Sequence, residues 1–328
     1  MESQKEPRVT QPSNSPHSIV DMNEDINLSE VFKALWKGKW LIIATTFVFA
    51  VCSVLLALKL PNIYKADTLL APAEISNGGG LSKMAGQLGG LAALAGVNLG
   101  GSESSQTDLA VQVMKSRQFI SDFIDKHNLL VPLMAAKGWD VEKNELIIDE
   151  EIYNEVKNEW LRKPKGLRGA KPTDLEAIEV FKKDIFSVIQ DKETGLYTVS
   201  VKHYSPFVAQ MWVNWLIDDI NKVMRDRAIA EATQNLAYLD AQLEKTAVAE
   251  MQSTFYKLIE EQTKSLMLAE VQEEFVFKIV DPAVVSENKV KPNRVMITIL
   301  GLLLGTMFGV AILLIKYAFF SKYSKLKD

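Results

Sequence analysis

Cysteine is nearly absent from this chain of 328 residues: Cys52 is the sole one, and it lies inside an apolar run. A single cysteine permits no intrachain disulfide, no thiol redox pair and no cysteine-ligated zinc site. Histidine is almost as scarce. His17, His127 and His203 are far apart, and none belongs to an HExxH or HxH pattern, so no metal site is expected. No GxxxxGK[ST] or GxGxxG occurs anywhere, which removes the familiar phosphate-binding loops and leaves no implied cofactor. Glycine and proline are missing together from the 75 residues between Pro206 and Pro282. A segment of that length without either residue is built for long helices.

Charge is unevenly spread. From Pro61 to Arg294 there are 27 Lys and Arg against 34 Asp and Glu, a net of −7 within a chain of net −4. Nucleic-acid binding needs a basic footprint, so an acidic middle argues against it.

The apolar residues concentrate in two blocks, Trp40–Leu58 and Val295–Ile315, neither of which contains a charge. About 20 helical residues cross a ~30 Å hydrocarbon core. The expected organisation is a disordered cytoplasmic tail (1–25), an amphipathic juxtamembrane segment (26–39), a first span (40–59), a central domain (60–294), a second span (295–316) and a short tail (317–328). The first block is too long, too far from the start and too poor in small residues at its end for a cleaved signal. Basic residues before span 1 (Lys33, Lys37, Lys39) and after span 2 (Lys316, Lys322, Lys325, Lys327) place both termini in the cytoplasm. Trp36, Trp40, Tyr317 and Tyr323 fit as interface anchors. Leu28, Val31, Phe32, Leu35 and Trp36 form a helical stripe that either lies on the membrane face or extends span 1.

Span 2 carries Gly301, Gly305 and Gly309, four residues apart on one helix face. Small residues at this spacing let two backbones approach closely, so the stripe predicts helix packing without naming the partner.

Between the spans, Asn62–Pro72 reads as a strand. Ser76–Ser105 is a glycine-rich loop with a short helix at Leu88–Ala95. A helix is expected over Asp108–Asn128, another over Ile147–Leu161, and a basic loop over Lys163–Lys171. Thr173 caps a turn of helix that leads into a hairpin with arms Ile185–Gln190 and Leu196–His203, and Tyr197, Val199 and Val201 alternate with polar residues. Ile229, Ala232, Leu236, Leu239 and Leu243 then follow 3-4 spacing, a coiled-coil-like seam on a helix over 205–245. A reversal near Thr246–Glu250 and a second amphipathic stretch predict a helical hairpin (205–271). Phe275–Val280 returns as a strand. The fold class is therefore α+β with two transmembrane helices flanking a membrane-proximal α/β base (60–204 and 272–294), from which the hairpin projects.

These segments resemble the Wzz-type polysaccharide chain-length determinants, also called polysaccharide co-polymerases. The resemblance rests on the two spans, IYKADTLLAP, MKSRQFISDFI (Met114–Ile124), YLDAQLEKT (Tyr238–Thr246), KLIEEQTKSLMLAEV (Lys257–Val271) and FVFKIVDPAVV (Phe275–Val285). Only Pro282 and Pro292 stand where the family is richer in proline. Membership implies a ring-forming homo-oligomer of the bacterial inner membrane with a periplasmic central domain. It also implies regulation of the length of O-antigen or a related lipopolysaccharide glycan, together with a membrane polysaccharide polymerase and its lipid-linked glycan. The brief segment after span 2 implies the branch without a kinase domain. A two-span adaptor of an export or secretion system is the alternative. An enzyme acting on cell-wall sugars is the weakest reading, because Glu150/Glu151 and Glu260/Glu261 sit in amphipathic patterns and adjacent helical residues point about 100° apart rather than across a scissile bond.

Overall fold

The computed structural model describes residues 35–36, 38–73 and 102–324. The tail over 1–25, most of the juxtamembrane segment and the expected helix at Leu88–Ala95 lie outside the described residues.

The chain divides into two compact units, one made by the two terminal helices and the other by Leu58–Asn293. In the first, α1 spans Lys39–Lys59 and α8 spans Arg294–Ser324. Their most apolar windows have mean hydropathies of 2.7 and 2.5, yet only 11% and 17% of those windows is buried. A core helix of a soluble domain would hide its apolar surface. These helices expose most of it, which suits hydrocarbon as the solvent.

The second unit is built on an antiparallel sheet. Strand β1 (Ile63–Pro72) lies at its centre, flanked by β7 (Tyr197–His203) and β8 (Phe277–Asp281), with β6 (Phe186–Gln190) outside β7 and the short β9 (Lys289–Lys291) also on β1. The register runs from Tyr64 opposite His203 to Leu70 opposite Tyr197. Alternation puts Ala66 and Leu70 of β1 on the same buried face as Val199 and Val201 of β7. Gly195, at φ 73°, closes the β6–β7 hairpin in a conformation that side chains disfavour.

Helix α6 (Pro206–Lys245) crosses this face and buries Trp212, Val213, Leu216, Ile217 and Ile220 against it. Ser205 starts the helix by accepting a hydrogen bond from the Val208 N–H at 3.4 Å, with Pro206 in the first turn. The 40 residues extend ~60 Å at 1.5 Å each. Beyond Met224, Ala232 is the last fully buried residue of α6. The outer half packs on α7 (Ala249–Val271), which returns antiparallel after three residues of turn.

Two expectations need correction. The segment Asp108–Asn128 is not one helix: α2 (Ser102–Met114) ends and α3 (Arg117–Lys126) begins anew. Ser116 adopts an extended ψ of 154° and its hydroxyl accepts from the Phe119 N–H at 3.2 Å, so a local cap outcompetes helix continuation. After a short α4 (Leu130–Met134), the helix expected over Ile147–Leu161 is replaced by two small hairpins. These are β2 (Ala136–Asp140) with β3 (Glu145–Ile148), and β4 (Tyr153–Asn154) with β5 (Glu159–Trp160). Each turn holds an asparagine at positive φ, Asn144 at 54° and Asn158 at 53°. An aromatic group locks each one: Trp139 Nε1–H donates to Asn144 Oδ1 and Tyr153 Oη–H to Asn158 Oδ1, both at 3.0 Å. Left-handed asparagines and β-branched neighbours defeat the helical reading.

The expected capped turn is present as α5 (Asp174–Val180). Thr173 and Glu176 form a reciprocal capping box.

Candidate functional surfaces: the paired spans and the long hairpin

The glycine stripe of α8 rests on α1 of the same chain. A Cβ on Gly301 would meet Ser53 Cβ, and one on Gly305 would lie 2.8 Å from Phe49 Cβ and 2.9 Å from Thr46 Cα. On Gly309 it would lie 3.1 Å from Ile42 Cα. Partner numbers fall as glycine numbers rise, so the two helices run antiparallel. The backbones come this close because glycine leaves the space that a side chain would fill. Phe49 and Phe308 cover one side of the contact, with ring centroids 5.6 Å apart.

On the hairpin, Ala232 is buried, while Ile229, Leu236, Leu239 and Leu243 are half-buried along the α6–α7 contact. Asn235 Nδ2 donates to Gln262 Oε1 across it at 3.5 Å, a polar rung between apolar layers. Gln252 Nε2 donates to the Thr246 carbonyl at 2.7 Å and closes the tip. One facing helix does not cover everything: Tyr238, Tyr256 and Met267 remain more than 60% exposed. Aromatic and methionine side chains displayed in this way are characteristic of contact surfaces.

Two polar connections tie the root of α6 to its surroundings and a third lies on the sheet, none of them evident in periodicity. Asp219, buried on α6, receives Lys126 on one carboxylate oxygen and His127 Nε2 on the other, the latter at 2.9 Å. The His127 ring stacks on Trp215 at 4.2 Å. Asn221, also buried, bonds the backbone of β8. On the sheet, Tyr197 Oη–H donates to Asp108 Oδ1 at 3.0 Å, and burial followed by that carboxylate pushes the phenol pKa up to about 12. The only sequence signal for the first two was a pair of polar residues, Asp219 and Asn221, within an otherwise apolar helix face. Elsewhere, Arg162 and Arg168 converge on Glu176, and the Arg162 hydrogen bond holds that carboxyl below its ordinary range against the effect of burial. The basic loop is thereby anchored by its own arginines. Among the described residues, no group of three or more His, Cys, Asp or Glu is arranged to hold a metal ion.

Comparison with known families shows what parts of this chain are similar to. The family model described as Wzz, chain length determinant protein, matches residues 24–127, which contain α1, β1, α2 and α3. Over those residues the chain is similar to the Wzz-type chain-length determinants. A second model, GNVR, described as a G-rich domain on putative tyrosine kinase, matches residues 242–318, from the hairpin tip through α8. That segment contains no GxxxxGK[ST] motif. No curated protein matches this chain. Among solved structures, a full-length bacterial polysaccharide co-polymerase matches at 12% identity with a TM-score of 0.36, covering 88% of this chain and 97% of its own. A fragment of WzzB, a polysaccharide co-polymerase from Salmonella Typhimurium, matches at 13% identity and a TM-score of 0.26, covering 70% of this chain and all of its own. The match to the chain-length-determinant model supports a role in polysaccharide chain length, and the two apolar helices fit association with a membrane.

Proposed function

We propose that this protein is a Wzz-type chain-length determinant and sets the length of a surface polysaccharide, such as O-antigen, as a scaffold for a membrane glycan polymerase. The observation that carries this reading is the match to the chain-length-determinant family in a chain whose central unit is bounded by two apolar helices. The termini are cytoplasmic and the Leu58–Asn293 unit is periplasmic in an inner membrane. The protein performs no bond chemistry and uses no cofactor. Its hairpins assemble side by side in a closed homo-oligomer. The exposed Tyr238, Tyr256 and Met267 support that arrangement, since cyclic symmetry gives every copy the same neighbour for this surface.

Deleting the gene should leave polymer on the cell surface but alter its length distribution on a polysaccharide gel. Loss of polymer export instead would favour an adaptor of an export system. Mass measurement in nanodiscs should return a closed multimer, and a monomer insensitive to concentration would refute the assembly.

A further inference from the structure

Helices α3 and α6 enclose a cleft of about 230 Å³ where α6 leaves the sheet, with Val113 of α2 at its edge. Its floor is apolar, made by Phe119 and Phe123 of α3 and Val223 of α6. Its walls carry three carboxylates, Asp122, Asp219 and Asp226, and three cations, Lys126, Lys222 and Arg227. The charges cancel.

That balance discriminates among ligands. A phosphate or other anion is held by donors alone, and three carboxylates in the same wall would repel it. A metal ion would be repelled by the three cations. A sugar hydroxyl both donates and accepts, so it is served by donors and acceptors set side by side. A pyranose ring also has an apolar face, for which the Phe119–Val223 floor provides a surface. The volume lies below the ~300–1,000 Å³ of sites for drug-sized ligands, which suits a single ring better than an extended molecule.

The polar groups are not all committed to the fold. Asp219 is occupied by Lys126 and His127, and Gln118 Nε2 donates to Asp122 at 2.8 Å. Among the described residues, no ion pair or hydrogen bond engages the side chains of Lys222, Asp226 or Arg227, although all three border the cleft. The site thus has a fixed inner wall and a free outer rim.

We propose that the α3–α6 cleft binds one uncharged sugar residue of the growing glycan. This inference rests on the chain-length function proposed above and assigns that function a contact point. The ring lies on Phe119 and Val223, with Lys222 and Arg227 donating to its hydroxyls and Asp226 accepting from them. The cleft sits at the root of the long hairpin, so an occupied site would brace α6 against α3.

The test uses the full chain in nanodiscs, titrated with short oligosaccharides released by mild acid from the producing cell's surface polysaccharide. Binding is read by saturation-transfer NMR. Lys222→Ala and Asp226→Ala alter exposed side chains and should each weaken binding roughly tenfold or more, as loss of a charged hydrogen bond does. Val223→Trp, which fills the cleft, should abolish it, while Asp240→Ala on the outer helix should not change it. Inorganic phosphate should not compete. No binding by the unaltered protein, equal binding by the three cleft variants, or displacement by phosphate would each overturn the site. The gene deletion tests the function separately. Altered glycan length with unaffected binding in the cleft variants would retain the function and remove the site. Binding lost in the variants with unaltered glycan after deletion would do the reverse.

Discussion

Asn221 and Phe277 hold each other by hydrogen bonds in opposite directions. The Asn221 Nδ2–H donates to the Phe277 carbonyl at 3.0 Å, and Asn221 Oδ1 accepts from the Phe277 N–H at 2.9 Å. The same oxygen also accepts from the Val276 N–H at 2.9 Å. A buried amide on the long helix therefore completes an edge of the sheet that no neighbouring strand satisfies. Every polar atom involved lacks access to water, so the bonds have no substitute if they are lost.

Asn221→Leu should lower stability by about 2–4 kcal/mol, because it strands two N–H groups and a carbonyl at a buried site. Asn221→Asp should be damaging too, since it keeps the acceptor but loses the donor and buries a charge. Thermal unfolding of the detergent-solubilised protein reads both. A loss below 0.5 kcal/mol in either variant, taken as the ~0.5 kcal/mol scatter of ordinary surface changes, would refute the role.

Gly305→Leu should disturb the paired spans without blocking insertion. The side chain remains apolar, yet its Cβ would stand 2.9 Å from the Thr46 backbone, which cannot move aside as a flexible side chain could. Overpacking of this sort costs about 1–3 kcal/mol. Normal abundance in the membrane fraction with a shifted glycan length distribution is expected. Unchanged glycan would mean that span pairing is not coupled to length control.

Leu239→Asp should loosen the hairpin, and Asp240→Ala should be close to silent. Leu239 is half-buried in the α6–α7 contact, whereas Asp240 is exposed one residue along. Losing the partly buried side chain removes about 1–2 kcal/mol, to which desolvation of the new carboxylate adds. Both variants are compared on one polysaccharide gel at equal expression. Polymer should persist in each, with altered length in the first. Polymer abolished by Asp240→Ala alone would point instead to an enzymatic carboxylate.

His203 should make the protein sensitive to mild acid. Its ring is almost wholly buried between a Pro132 carbonyl, 3.2 Å from Nε2, and the Ser205 N–H, which donates to Nδ1 at 3.2 Å. Burial lowers the pKa from 6.5 to about 4, with the Pro132 carbonyl acting in the opposite direction. The folded pKa is depressed, so this group leaves stability intact above pH ~6.5. Between pH 6.5 and about 4 the unfolded chain takes up the proton that the folded chain refuses, and stability falls by roughly 3 kcal/mol in total. His203→Met should show lower stability at neutral pH but a flatter decline through this window. An equally steep decline would assign the acid sensitivity to other groups.

Much of this molecule was readable along the chain, because its strongest signals are local. Charge-free runs of bilayer length identify α1 and α8, and a segment without Gly or Pro identifies the helices of the hairpin. Alternation gives β7, and Thr173 with Glu176 three residues later gives the start of α5. Such features depend on propensity and periodicity within one element, which neighbouring residues determine alone. The tertiary structure decided the rest. It brought Gly305 against Thr46, 259 positions away in the chain. It gave Asp219 both Lys126 and His127, and it turned a stretch of glutamates and isoleucines into two hairpins pinned by Asn144 and Asn158. A stripe of small residues states that something approaches closely, not what approaches, and a buried carboxylate does not announce the helix that will neutralise it. Those pairings are settled by which surfaces meet when water is excluded, a property of the folded chain rather than of any one segment.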